Sequence, residues 1–290
     1  MNYFPLTKKV EKQKFRRVVT RLYYRLTDPP FSDTSGCAVV FNNEIHVIVK
    51  TKHYKWDGTK WISVSVVPYS FRNGGAVVFN NEIHIFSADT KHYKWDGETW
   101  TEVDVLPFKF YYSQVVVYHN EIHVIGGMGT IHYKWDGETW TKVGDDTPYN
   151  CEGGAICVLN DEIHIMGGYN GKTKHYKWDG NTWTSVSTLP IYVENSNSGF
   201  AVVMDGRIYL LYMHSRAVFD GLSWSFLYYD YYTSSSGVSS TQTAPYTTYS
   251  SHVVAFDDGI HIINYYSSSG SDNNYSMHAV ENANLYIPIN

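Results

Sequence analysis

The chain is short of charge and of cysteine. Only 18% of its 290 residues are charged, and it carries three cysteines, Cys37, Cys151 and Cys157. They make no CxxC pair and no metal-like spacing, and they lie in or beside apolar runs. That excludes a disulfide framework or a zinc knuckle as the organising device, and reduced, buried thiols are expected. No apolar stretch reaches the ~18 residues that a membrane-spanning helix needs, and the first 30 residues hold no apolar leader core. The expectation is a chain made in the cytoplasm with neither a membrane span nor a secretory signal. Also missing are a nucleophile elbow, a phosphate-binding glycine loop and a dinucleotide fingerprint. No unique pair of close carboxylates offers itself for acid–base work.

What the chain has in excess is aromatic residues: 26 Tyr, 13 Phe and 9 Trp make up 17% of it. Aromatic side chains suit pleated, half-buried surfaces, so an all-β fold is expected. The net charge of −5 is unevenly placed. Residues 1–30 hold Lys8, Lys9, Lys12, Lys14, Arg16, Arg17, Arg21 and Arg25 against two acids, a net +6, which leaves −11 for the remainder. A basic arm on an acidic body reads as a docking or anchoring tail; nucleic acid is not expected as a partner, because the body would repel it.

Internal repetition organises the rest. Tyr-Lys-Trp-Asp-Gly occurs at Tyr54–Gly58, Tyr93–Gly97, Tyr133–Gly137 and Tyr176–Gly180, at offsets of 39, 40 and 43 residues. Worn copies follow at Val218–Gly221 and near Ala279–Asn282. Upstream of each lies a second signature: Glu44-Ile45-His46, Glu82-Ile83-His84, Glu121-Ile122-His123 and Glu162-Ile163-His164. Arg207-Ile208-Tyr209 and Gly259-Ile260-His261 extend it to six copies. Each copy reads as four short strands. In the second, Ala76–Phe79 is followed by an Asn80-Asn81 turn, Glu82–Phe86 alternates, and His92–Trp95 leads through Asp96-Gly97 to Trp100. Asn-Asn and Asp-Gly are strong hairpin signals. Trp56/Trp61, Trp95/Trp100, Trp135/Trp140, Trp178/Trp183 and Phe219/Trp224 recur at a constant offset of five and are expected between blades.

The order of apolar strand, Ile-His-Val strand, Gly-Gly, Tyr strand, Asp-Gly turn and Trp strand resembles the kelch repeat, over residues 36–290. Gly126-Gly127 and Gly167-Gly168 match that family's glycine pair; the other copies read Val49-Lys50, Ser87-Ala88, Tyr212-Met213 and Asn264-Tyr265. The last copy has Leu285 where the Trp belongs. The resemblance implies an all-β, six-bladed kelch-type β-propeller of four-stranded antiparallel blades, occupying residues 34–290 behind a basic arm at 1–33. Kelch propellers commonly close by pairing strands from the two termini, and Val18–Leu26 is a candidate for that strand or for one packed outside.

Strand order places the first-to-second and third-to-fourth turns on one side, where they are short and nearly invariant. On the other side the loops diverge: the spacing from the Glu44-type to the His53-type position runs 9, 10, 11, 13, 9 and 18 residues. Scaffold turns repeat because they do one geometric job, whereas binding loops are free to differ. Residues 228–250 and 264–276 are rich in Tyr, Ser, Gly, Thr and Asn, a mixture that provides amphipathic contact area at low entropic cost. Tyr231, Tyr232, Tyr246, Tyr249, Tyr265, Tyr266 and Tyr275 are the candidate partner-binding residues. Lys8, Lys9, Lys12, Lys14, Arg16, Arg17 and Arg21 are the candidate anchoring residues, holding other subunits of an assembly.

Of 13 histidines, nine follow the repeat: His46, His84, His123, His164 and His261 on second strands, and His53, His92, His132 and His175 on third strands. Residues recurring once per blade are distributed around a circle, so a structural role is expected, with no metal and no cofactor. The functional expectation is a non-catalytic binding and structural protein, a virion or phage-tail-like particle subunit that presents the variable face to a host-surface glycan or protein. A cytosolic kelch adaptor for a protein partner is the alternative. A kelch-type enzyme, such as a sugar oxidase or epimerase, is the third. The low arginine content of the propeller and the apolar setting of its cysteines argue against it.

Overall fold

A computed structural model describes residues 15–25, 29–31, 36–71, 74–87, 89–127, 129–144, 146–194, 199–212, 215–226, 232–234, 237–239, 251–256, 259–267 and 273–288. Among the described residues the regular structure is all strand. Two turn types shape each of the first five copies of the repeat. In the first hairpin both turn residues are left-handed, as at Asn80 (φ 49°) and Asn81 (φ 61°). This is the type I′ geometry, whose twist matches that of the flanking strands. The same pair of positive angles recurs at Asn42-Asn43, His119-Asn120, Asn160-Asp161 and Asp205-Gly206. In the outer hairpin the Asp side chain closes the loop: Asp96 Oδ1 accepts the backbone N–H groups of Glu98 and Thr99 at 2.8 Å each, and Gly97 sits at φ 110°. An Asp and a φ-permissive Gly are what that turn requires.

Five four-stranded antiparallel blades result. They are β5 (Gly75–Phe79) to β8 (Trp100–Glu102), with β6 (Glu82–Phe86) and β7 (His92–Trp95) between; and β9 (Ser113–Tyr118), β10 (Glu121–Gly126), β11 (Ile131–Trp135) and β12 (Trp140–Lys142). Next come β13 (Ala155–Leu159), β14 (Glu162–Met166), β15 (His175–Trp178) and β16 (Trp183–Ser185), then β17 (Gly199–Met204), β18 (Arg207–Tyr212), β19 (Ser215–Phe219) and β20 (Trp224–Phe226). The fifth combines β23 (Ser251–Phe256), β24 (Gly259–Ser267) and β25 (Asn273–Pro288) with β1 (Phe15–Arg25) from the other end of the chain.

Six four-stranded blades were the expectation, and the first copy departs from it. It forms a three-stranded sheet of β2 (Gly36–Phe41), β3 (Glu44–Trp56) and β4 (Trp61–Phe71). Strand β3 runs unbroken through Val49-Lys50 and folds back at Lys50, φ 52°. His46 and His53, both in β3, therefore meet at 2.8 Å. Seven extended residues would hold them about 23 Å apart.

The inner strands touch in the order β2, β5, β9, β13, β17, β23 and back to β2. At the termini, β1 lies antiparallel on β25 from Phe15↔Pro288 to Arg25↔His278. The candidate closing segment thus pairs with the opposite terminus. Part of the basic arm is built into the propeller, since Arg16, Arg17 and Arg21 stand on β1.

Each seam between neighbouring sheets has its own apolar core. Phe79 and Phe86 of one blade, for example, meet Ile122, Val124 and Trp135 of the next. The paired tryptophans face each other across the outer hairpin, Trp135 opposite Trp140 with ring centroids 6.2 Å apart. Trp135 is 4% exposed, and its ring also meets Phe79, His84 and His92 of the preceding blade at 5.7, 5.3 and 5.1 Å. Trp135→Ala is expected to cost about 3–5 kcal/mol, the usual range for truncating a buried Trp. Urea unfolding checks it, and a loss below about 1 kcal/mol would show that the seam does not depend on the indole.

Candidate functional site

The two histidine series are hydrogen-bonded to each other, a pairing that sequence reasoning missed. Nδ1 of the second-strand histidine meets Nε2 of the third-strand histidine at 2.8 Å for His46–His53, 2.9 Å for His84–His92, 2.9 Å for His123–His132 and 2.8 Å for His164–His175. The signal was present in the alternation of β6 and β7, which puts residues 84 and 92 on one face. Each pair lies against an aromatic ring of the following blade: Trp95, Trp135, Trp178 and Phe219 in turn.

The next blade's fourth-strand Trp reaches the pair at two seams and sets the tautomer at one of them. Trp224 Nε1–H donates to His175 Nδ1 at 3.2 Å. Indole only donates, so His175 must carry its proton on Nε2 and donate to His164 Nδ1. At the first seam Ser65 mediates: its Oγ accepts from Trp100 Nε1 at 2.9 Å and lies 3.2 Å from His53 Nδ1. Beyond the pairs stand Glu44, Glu82, Glu121 and Glu162, each tied to a lysine of the third strand at 2.8–3.0 Å. In these four copies one face of the second and third strands is thereby occupied by scaffold chemistry. Among the described residues no group of three or more His, Cys, Asp or Glu is placed to hold a metal ion. Cys37, Cys151 and Cys157 are free and buried.

The candidate tyrosines fall on the last blade and the insertion before it. Tyr231, Tyr246 and Tyr249 lie outside the described residues, as do Lys8, Lys9, Lys12 and Lys14 of the arm. Tyr232 begins β21 (Tyr232–Ser234), which pairs with β22 (Gly237–Ser239) inside what the sequence reads as a loop. Residues 264–276 are likewise partly strand: β24 runs on to Ser267 and β25 starts at Asn273, placing Tyr265 opposite Tyr275 and Tyr266 opposite Asn274. Strand β21 lies beside β1. Tyr232 and the arm residues Arg16, Arg17 and Arg21 are therefore on neighbouring strands, although the sequence presents them as separate sites.

A second set of tyrosines on the variable side escaped the sequence reading. They occur where the two glycine pairs are. A Cβ on Gly127 would lie 2.6 Å from Ser113 Oγ and 3.0 Å from the Tyr111 carbonyl, and one on Gly168 would lie 2.6 Å from the Cys151 carbonyl carbon. A Cβ on Gly167 would strike Val193. The missing side chains let the loops close onto the strand ends. Backbone hydrogen bonds then lace them together: Gly153 N–H to Tyr112 O, Tyr169 N–H to Glu152 O, Asn170 N–H to Asn150 O, and Gly168 N–H to Val193 O at 2.8 Å. Tyr169 and Tyr192 stand on this lacing at 51% and 64% exposure. Tyr111 and Tyr112 are half-buried with ring centroids 4.2 Å apart.

No protein-family profile and no curated protein matches the chain. Among solved structures it is similar to the one titled "Structure of YjhT", with a TM-score of 0.65 and 13% identity over 91% of this chain and 97% of that one. The chain is a β-propeller, and at that identity the likeness speaks for the fold alone.

Burial holds the paired histidines neutral. His46, His84, His123 and His164 titrate at about 4, and His53, His132 and His175 at about 3, all below the ordinary 6.5, with burial the largest cause. The unfolded chain binds more protons than the folded one between these values, so this stability is whole above about pH 6.5 and is lost as the pH falls through 6 towards 4. Each histidine contributes up to about 1.4 kcal/mol per pH unit in that window. The urea midpoint is expected to be flat from about pH 8 to 7 and to fall steeply below about 6.5. A midpoint that stays flat to about pH 5 would show that the pairs are not held neutral.

Proposed function

We propose that this chain is a kelch-type propeller acting as a non-catalytic binding and structural protein. In this reading it is a subunit of a virion or phage-tail-like particle, and its variable face adheres to a glycan or protein on a host surface. The observation that carries the reading is the contrast between the two sides. Type I′ and Asp-closed turns repeat from blade to blade on one side. On the other, the second-to-third spacing ranges from 9 to 18 residues. A rigid scaffold with one side that repeats from copy to copy and one that diverges suits presentation of loops.

Lys8, Lys9, Lys12 and Lys14 lead into β1, and in this reading they engage neighbouring subunits while β1 fixes the arm to the last blade. The tyrosine-rich segments around Tyr231, Tyr232, Tyr265 and Tyr266 meet the host partner.

Two results are expected. In rate-zonal sedimentation of a native lysate the chain migrates with a megadalton particle; migration near 33 kDa, its monomer mass, would favour the cytosolic adaptor instead. Replacing Tyr231, Tyr232, Tyr265 and Tyr266 together with Ala removes partner binding without changing the melting temperature. Retained binding in a folded variant would refute the assignment of those residues.

A further inference from the structure

We propose that the loops laced together at the two glycine pairs form a binding platform for a neutral oligosaccharide, with Tyr112, Tyr169 and Tyr192 as its stacking surfaces. The proposal rests on the binding-protein reading, but it places a site on blades other than those carrying the sequence-predicted tyrosines.

The arrangement is linear. Tyr112 O accepts from Gly153 N–H, the neighbouring Glu152 O accepts from Tyr169 N–H, and Gly168 N–H reaches Val193 O beside Tyr192. The tyrosines therefore follow one another along three loops, β8–β9, β14–β15 and β16–β17, the first two bridged by the Glu152-Gly153 peptide of the β12–β13 loop, as subsites for consecutive units of a chain ligand would. The backbone is fixed before any ligand arrives, which lowers the ordering cost of binding. Strain supports the same place. Outside the repeated hairpin turns, Tyr112 (φ 55°) and Lys50 are the described non-glycine residues with left-handed backbone. The fold-back of β3 accounts for Lys50. A bulky residue held in the left-handed region, as Tyr112 is, is strained, and such strain collects at ligand sites.

The surrounding groups choose the ligand class. Among the described residues of the laced loops the acids Asp104, Asp146, Glu152 and Glu194 outnumber the cations Lys109, Lys172 and Lys174; Lys172 is paired with Glu194 at 3.3 Å and Lys174 lies over the Tyr149 ring. An acidic platform disfavours phosphates, acidic sugars and nucleic acid. Val193 and Ile191 are buried, and among the described residues these loops carry no arginine and one large exposed aliphatic, Val105, so they offer little of the anchoring that centres protein interfaces. What remains is a row of rings with hydroxyl tips among carboxylate and amide acceptors and donors. A pyranose has an apolar C–H face and a rim of hydroxyls, and it matches both parts.

Isothermal titration of the full-length chain with maltohexaose, cellohexaose, mannohexaose and chitohexaose tests it. At least one is expected to bind with a Kd in the range of about 0.1–10 mM. The Tyr169→Ala/Tyr192→Ala double variant should weaken that binding about tenfold or more at an unchanged melting temperature. Tyr169→Trp should retain it. Absence of binding by all four sugars at about 10 mM, or equal binding by the double variant, overturns the platform. Sugar binding lost only on replacing Tyr265 and Tyr266 also overturns it while leaving the variable-face reading intact. Sugar binding through Tyr169 and Tyr192 by a chain that sediments as a monomer leaves the platform standing and removes the particle.

Discussion

The structure depends on an interlock between neighbouring blades. At four seams a pair of neutral histidines on the second and third strands of one blade is covered by the outer-hairpin aromatic of the next, as His84 and His92 are by Trp135. Three requirements meet there. The histidines must be close enough to share a proton, which fixes the register of the second and third strands. They must be uncharged, which demands burial. The covering ring must be large and held at its own hairpin, which accounts for the five-residue spacing of the tryptophans and the Asp-Gly turn inside it. Because the contact crosses from blade to blade, none of the blades completes its core alone.

This interlock divides the molecule into a constrained and a free side. The hairpin turns that set its geometry can hardly vary, and they do not. Loops on the opposite side carry no such duty, and their lengths drift. The two glycine pairs lie on the boundary: they sit at the ends of the interlocked strands, yet their effect is on the loops. At Gly126-Gly127 and Gly167-Gly168 the loops are drawn down and laced. In the first copy, where Val49-Lys50 stands instead, the connection shrinks to a fold-back within one strand.

Most of the architecture was legible in the sequence because it is written in repeated local chemistry. Asn80-Asn81 announces a type I′ turn, Asp96-Gly97 announces a side-chain-closed one, and Trp95/Trp100 announces the outer hairpin. Their recurrence announces the circle. Less could be read where a feature depends on contacts between distant residues. That His84 and His92 bond to each other requires the register of two strands, although each series is plain alone. That Val49-Lys50 merges two strands follows from the lack of a loop, which composition does not measure. Tyr169 and Tyr192 were passed over because each is a single tyrosine in an ordinary loop. Only the lacing at Gly168 aligns them, whereas the dense Tyr/Ser segments drew attention by composition.

The central claim is that the interlock welds separate blades into one cooperative unit, and native-state hydrogen exchange under increasing urea measures that directly. Amides of β6, β10, β14 and β18 are expected to converge on a single opening free energy equal to that of global unfolding, with the loop amides opening well below it. Separate plateaus for different blades would contradict the account, because they would show that each blade opens without breaking a structure shared with its neighbours.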